Sequence, residues 1–295
     1  MKYSYVQRLP RFEYLAPKTI DEAVFLLSQY KGKSKVIAGA TDLLHKMKRG
    51  EETPQYLIGL KSIPRLDYID YDEGEGLRIG PLVTIHAIEA SPLVKDKFPI
   101  LSQAASTMAS PQIRSLGTIV GNLSSAVPSA DMAPGLIVLG GKLKITNIKG
   151  ERIIPVEDFF KGPSMSVLSH DELVVEVQVP NPPASSGMVY IKHTLREAME
   201  LAIVGVAVLI TLKDAVCNEI KIALGAVAPT PMRAKKAESI LKRKPFSSDL
   251  VREAAKMASE EARPISDIRA SAEYRKEMIR ILTERALTRA REEIK

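Results

Sequence analysis

Apolar positions along this chain recur in two rhythms, one every three to four residues and one every second residue. The first helical rhythm, Ala23, Leu26, Leu27 and Tyr30, follows Thr19-Ile-Asp-Glu22 and stops at Gly32. Thr19 and Glu22 form a capping box, in which a hydroxyl and a carboxylate each take up a backbone N–H that the helix leaves free. Residues 35–38 (KVIA) read as a short strand. It runs into Gly39-Ala-Thr-Asp42 and a helix through Met47 that Gly50 stops. Residues 55–60 read as another strand, so a β–turn–α–β pattern fills a first lobe, residues 1–60.

A second lobe spans residues 61–179. Residues 68–79 predict a hairpin around Asp72-Glu-Gly-Glu-Gly76, helices start near Thr84, Phe98 and Asp131, and residues 142–154 predict a second hairpin turning at Lys149-Gly150. A strand follows over 172–179. Residues 180–187 (PNPPASSG) cannot hold regular structure and read as a linker. Beyond it, 188–192, 201–212 and 220–227 predict three strands, and 233–241, 248–261 and 271–293 predict three helices. Residues 188–295 thus form a small C-terminal domain of antiparallel sheet plus helices, and the fold class is α+β.

Composition narrows the function classes. The longest apolar run, residues 201–212 (LAIVGVAVLITL), is shorter than the ~20 residues of a membrane span and reads as a buried strand. The N-terminal MKYSYVQRLPRFEYL has no apolar stretch of the kind a secretory leader needs. A single cysteine, Cys217, builds neither an internal disulfide nor a cysteine-ligated cluster, so the chain reads as cytoplasmic. Nearly all of the net charge of +7 lies in 232–295, with 17 basic and 11 acidic residues. No tryptophan and few aromatics accompany it, which argues against nucleic acid and for a solvated or partner-facing helix. The four histidines, His45, His86, His170 and His193, are scattered, and no carboxylate pair has acid/base spacing.

Two stretches share a design. Ile37-Ala-Gly-Ala-Thr-Asp-Leu43 and Gly117-Thr-Ile-Val-Gly-Asn-Leu-Ser-Ser125 each leave an apolar segment and enter a bend of small residues. Small side chains let a ligand approach the main chain, whose successive N–H groups can point at an anion such as a diphosphate. Ordinary turns have the same composition, and neither stretch is a GxGxxG or a GK[ST] phosphate loop. Asp131, after Pro128, suits either a helix cap or a ligand hydroxyl. Asn122 suits a cap or a brace for the bend.

Taken in order, these motifs resemble the FAD-binding subunit of the molybdenum hydroxylases, the family of xanthine dehydrogenase, carbon monoxide dehydrogenase and bacterial aldehyde oxidoreductases. AGATDL at 38–43 is similar to the family's AGGTDL, and TIVGN at 118–122 to its TIGGN. The aspartate after a proline is Asp131. A K…R…D-I-A pattern is matched by Lys192, Arg196, Glu200, Leu201 and Ala202, and DIRASAEYR at 267–275 resembles the family's C-terminal domain. The departures are Ala40, Val120 and Glu200. A side chain at 40 or 120 would strain the bend if positive φ were required there.

The resemblance implies a two-lobed FAD-binding domain of the vanillyl-alcohol-oxidase-like type, followed by the C-terminal α+β domain. It implies cofactor contacts from Lys35, Ile37, Ala38, Gly39, Ala40, Thr41, Asp42 and Leu43 on one side. Thr118, Gly121, Asn122, Ser124, Ser125 and Asp131 would lie on the other, with Leu173 and Lys192 beside the flavin. Lys192 there would favour added negative charge on the ring. The implied role is an electron-transfer flavoprotein subunit of an oxidoreductase. It would pass electrons from iron–sulfur clusters on a small partner subunit, through FAD, to an acceptor such as NAD or a quinone. Molybdenum cofactor would sit on a large partner subunit, within a dimer of heterotrimers. The extra cluster that hydroxybenzoyl-CoA reductases carry in this subunit has no cysteines here. The alternatives are a stand-alone FAD oxidoreductase of the same broad fold and a non-catalytic assembly subunit.

Overall fold

The computed structural model describes residues 8–196 and 199–294. The reading of the N-terminus as no leader falls in part on residues 1–7, outside that range.

The first lobe is a three-stranded parallel sheet with strand order β1-β3-β2. β1 (Glu13–Leu15) precedes α1 (Ile20–Gln29), β2 (Ser34–Ile37), α2 (Leu43–Lys48) and β3 (Tyr56–Gly59). The capping box forms: Glu22 N donates to Thr19 Oγ1, and the Glu22 carboxylate takes Lys18 N, one residue before the expected partner. β1 was not legible in the sequence, because three half-exposed residues carry no alternation. Ala23, Val24 and Leu27 of α1 pack on Ile58 and Leu60 as the lobe's core.

The second lobe is a five-stranded antiparallel sheet flanked by helices, with order β4-β5-β10-β6-β7. β4 (Ile69–Asp72) and β5 (Gly76–Ile79) form the first hairpin. The helices α3 (Ile85–Ala90), α4 (Pro92–Lys97), α5 (Pro99–Ser106), α6 (Pro111–Arg114), α7 (Ile119–Ser124) and α8 (Met132–Leu139) follow in series. β6 (Lys142–Asn147) and β7 (Gly150–Pro155) make the second hairpin. A small pair, β8 (Phe160–Gly162) and β9 (Met165–Ser166), leads to β10 (Leu173–Val179), which returns to the centre of the sheet. α7 corrects the sequence reading of 117–125 as an open bend. Thr118 caps a short helix through a bond from Gly121 N, and Val120 is helical and buried with no positive φ.

The C-terminal domain is a four-stranded antiparallel sheet of β11 (Ser186–His193), β12 (Val204–Lys213), β13 (Val216–Gly225) and β14 (Met232–Arg233), followed by α9 (Lys235–Leu241), α10 (Ser248–Glu261) and α11 (Ala272–Glu292). Alternate residues serve two cores. Val189, Val206, Val208 and Ile210 face the helices of this domain, whereas Met188, Tyr190, Ala207 and Leu209 join the core of the second lobe. Burial on both faces explains the unbroken apolar run of β12. The DIRASAEYR segment is structural here. Arg275 is fully buried, donates to the carbonyls of Ile203 and Ala226, and pairs with Asp267 at 2.9 Å. Cys217 is a buried residue of β13 whose thiol burial pushes up to about 11, so it is an inert packing residue.

Candidate functional site

A cleft of about 520 Å³, within the range of small-molecule sites, opens between the two lobes. Its first wall is the bend where β2 ends at Ile37 and α2 begins at Leu43. Its second wall is α7 with the turns on either side. The two bends touch. A Cβ on Gly39 would lie 2.1 Å from the Leu116 carbonyl oxygen, so only glycine admits that approach. Thr41 packs against Gly117, and Ser125 Oγ donates to Asp42 Oδ2 at 2.5 Å. Asp42 sits at the cap position of α2 without capping it, because its carboxylate is turned to the opposite lobe.

The first bend presents its main chain. Among the described residues, none of the N–H groups of Gly39, Ala40, Thr41 and Asp42 donates to a protein acceptor, although all four residues line the cleft. Ala40 has φ +63°, the conformation in which consecutive amides turn toward one centre and form an anion-binding concavity. Of the two departures in the bends, Ala40 is therefore the strained one, and an alanine here bears a cost of about 1 kcal/mol that a glycine would not. Strain of this kind collects where a ligand is gripped.

The second bend works differently. Several of its amides are taken up locally, Gly121 N by Thr118 Oγ1, Asn122 N by Thr118 O and Ser125 N by Gly121 O, while among the described residues the N–H groups of Thr118 and Val120 donate to no protein acceptor. It offers side-chain groups to the cleft, the hydroxyls of Ser124 and Ser125. Asn122 braces the bend: its Oδ1 accepts from Met132 N at the start of α8. The first stretch keeps an open row of four amides, whereas the second, at the start of α7, leaves the N–H groups of Thr118 and Val120 open and takes up its other donors.

Asp131 also lines the cleft and makes no cap bond to α8. Its Oδ2 takes Lys192 Nζ at 2.9 Å and its Oδ1 takes Tyr190 Oη at 3.0 Å. Lys192 Nζ also donates to the Thr107 carbonyl at 3.0 Å, and its side chain is 3% exposed. Burial pushes the Asp131 carboxyl up, and Lys192 and Tyr190 pull it back. Burial and the adjacent carboxylate push the Tyr190 phenol well up, so it remains a neutral donor.

Lys35, Ile37, Ala38, Gly39, Ala40, Thr41, Asp42 and Leu43 thus meet Thr118, Gly121, Asn122, Ser124, Ser125, Asp131 and Leu173 around one cleft. Lys192 stands behind Asp131, its charge matched by that carboxylate, and does not line the cleft. Lys35 is likewise paired, with Glu52 at 2.9 Å. Sequence reasoning missed several wall residues, among them Met108, Ile113, Glu172 and Met199. Glu172 adjoins Leu173 and is held by Arg152. The others lie in segments whose composition is that of any loop.

The donor and acceptor set fits a dinucleotide flavin. Four unpartnered N–H groups suit a diphosphate. Glu200, also in the wall, has a buried Oε2 with no hydrogen-bond partner among the described residues, its nearest cation being Arg196 Nε at 4.0 Å. An unsatisfied acceptor in a cleft awaits a donor of the kind a sugar hydroxyl or ring N–H supplies. Among the described residues no group of His, Cys, Asp and Glu is arranged to hold a metal ion.

Comparison with known proteins follows the same division. Residues 10–182 match the FAD binding domain in molybdopterin dehydrogenase, and residues 189–290 match the CO dehydrogenase flavoprotein C-terminal domain. The carbon monoxide dehydrogenase medium chain of Hydrogenophaga pseudoflava is 35% identical over 95% of this chain and 97% of its own length. The glyceraldehyde dehydrogenase medium chain of Sulfolobus acidocaldarius is 31% identical over 94% of this chain and 97% of its own. The solved carbon monoxide dehydrogenase of Hydrogenophaga pseudoflava that lacks the Mo-pyranopterin moiety superposes with a TM-score of 0.94 at 35% identity, covering 98% of this chain and 100% of that one.

Proposed function

We propose a role for this chain from one premise: it belongs to the family of FAD-binding medium subunits of the molybdenum hydroxylases, which includes those of carbon monoxide dehydrogenase and xanthine dehydrogenase. The chain carries electrons from iron–sulfur clusters on a small partner subunit, through FAD, to an external acceptor such as NAD or a quinone. A large partner subunit holds the molybdenum cofactor, the assembly is a dimer of heterotrimers, and its compartment is the cytoplasm. Among the described residues no helix is long and apolar enough to cross a membrane. The one cysteine is buried in β13, which leaves cluster ligation to other subunits.

When bound, the flavin supplies the capacity to exchange electrons singly on one side and in pairs on the other. The protein's own part is binding and electrostatics. The Gly39–Asp42 main chain holds the diphosphate with donors that do not titrate. Asp131 and Glu200 accept hydrogen bonds, Ser124 gives or takes them as the ligand requires, and Ser125, whose proton goes to Asp42, can accept. Ile37, Leu43, Leu173 and Met199 exclude water from the wall. No residue of the cleft is assigned as a general acid or base.

The observation that carries this reading is the open row of amides on a bend clamped to the opposite lobe. The test is to purify the native complex and measure flavin, iron and molybdenum. Stoichiometric FAD on this chain with the metals on co-purifying subunits supports the role. Turnover by the isolated flavoprotein, or a chain without flavin, overturns it.

A further inference from the structure

We propose that Tyr190 is a positioning residue for the cofactor cleft: its hydroxyl fixes the Asp131 carboxylate in the wall, so that the C-terminal sheet sets the geometry of the flavin site. The proposal rests on the reading of this cleft as an FAD site.

Tyr190 and Lys192 stand two apart on β11 and so project from the same face of the sheet, toward α5 and α8. Each takes one oxygen of Asp131. An ion pair through one oxygen leaves the carboxylate free to turn about its own axis. A second donor on the other oxygen fixes its plane and directs the remaining lone pairs. Tyr190 has no alternative partner among the described residues: its ring is 5% exposed and its one hydroxyl bond is to Asp131. A buried hydroxyl that loses its bond bears the full desolvation penalty, so the bond persists and holds Asp131 with it.

The surroundings are built for that hydroxyl. Gly205, which pairs with Lys192 across β11 and β12, lies directly under it; a Cβ there would stand 2.9 Å from Tyr190 Oη. The Tyr190 N–H is itself fixed by Gln103 Oε1 of α5 at 2.7 Å. Lys192 is tied to the Thr107 carbonyl just beyond the same helix. The path from the C-terminal sheet to the cleft wall is therefore continuous: Gly205, Tyr190, Asp131.

The test is a double-mutant cycle read as FAD affinity, by titrating the flavin-free full chain with FAD. Tyr190→Phe removes the hydroxyl and keeps the ring. The dissociation constant is expected to rise about tenfold in the wild-type background and less than twofold once Asp131→Asn is present, because the two groups act as one unit. The visible circular dichroism of bound flavin should change in Tyr190→Phe, whereas a purely structural loss would lower stability and leave that spectrum alone. Equal weakening in both backgrounds, or none in the wild type, overturns the proposal. A wild-type chain that binds no FAD overturns the site reading and this inference together. If Tyr190→Phe does not fold, Gly205→Ala crowds the hydroxyl without removing it, and should weaken FAD binding in the same direction; unchanged affinity there overturns the proposal.

Discussion

Replacing Lys192 with methionine tests the electrostatics of the cleft wall. The perturbation keeps most of the stem and removes the ammonium that lies 2.9 Å from Asp131 Oδ2 and 3.0 Å from the Thr107 carbonyl. Both side chains are under a tenth exposed, so the carboxylate left behind cannot turn to bulk water. Breaking a buried pair from one side costs about 3–5 kcal/mol. Tyr190 still donates to the other oxygen, which places the loss near about 3 kcal/mol at neutral pH. The pH dependence gives the sharper readout. Burial already raises the Asp131 carboxyl, and Lys192 opposes the rise, so its removal raises it further. A carboxyl raised in the folded state takes up a proton more readily than in the unfolded chain. The penalty is then absent below the ordinary carboxylate range and grows as pH climbs through the folded value. Urea unfolding of Lys192→Met should therefore show a deficit that shrinks as pH is lowered toward the ordinary carboxylate range, with a slope of at most about 1.4 kcal/mol per pH unit for this one group. Adding Asp131→Asn should recover part of the loss. A deficit below about 1 kcal/mol at neutral pH, or one that does not vary with pH, would refute a buried charge pair here.

Three further outcomes follow from the geometry. Ala40→Gly relieves the positive φ at the cost of extra freedom in the unfolded chain; the free energy of urea unfolding should rise by a net of roughly 0.5–1 kcal/mol with FAD affinity retained, and a destabilised variant would count against the strain. Gly39→Ala drives a Cβ into the Leu116 carbonyl and should part the bends; FAD titration should show at least about a tenfold loss with far-UV circular dichroism unchanged, and normal affinity would contradict the contact. Asp267→Ala strands the buried Arg275 and should cost about 3 kcal/mol in urea unfolding. Hydrogen bonds from Arg269 first, and from Arg275, hold Asp267 well below the usual carboxylate range, so its contribution is present at neutral pH and lost as pH falls through that depressed value.

What the sequence revealed depended on how local the signal was. The capping box at Thr19, the glycine stops at 32 and 50, and the apolar run of β12 are properties of a few neighbouring residues, and the structure keeps them. β1 escaped because its three residues are ordered by pairing with β3, some forty positions away. α7 escaped because Gly121, Asn122 and Ser124 suppress helix propensity, and burial of Ile119, Val120 and Leu123 overrides it. At the site, the motif residues were legible while their partners were not. Nothing in the local pattern tells that Asp42 bonds Ser125, that Lys35 is engaged by Glu52, or that Lys192 spends its charge on Asp131. Those pairings are tertiary. They decide which side chains remain open to a ligand.

The most direct measurement is a crystal structure of the chain with FAD bound. The diphosphate oxygens should lie about 2.9 Å from the N–H groups of the Gly39–Asp42 bend, with the bend still closed on Leu116 and Ser125. A diphosphate held elsewhere in the cleft, with those amides facing water or turned to protein acceptors, would contradict the account.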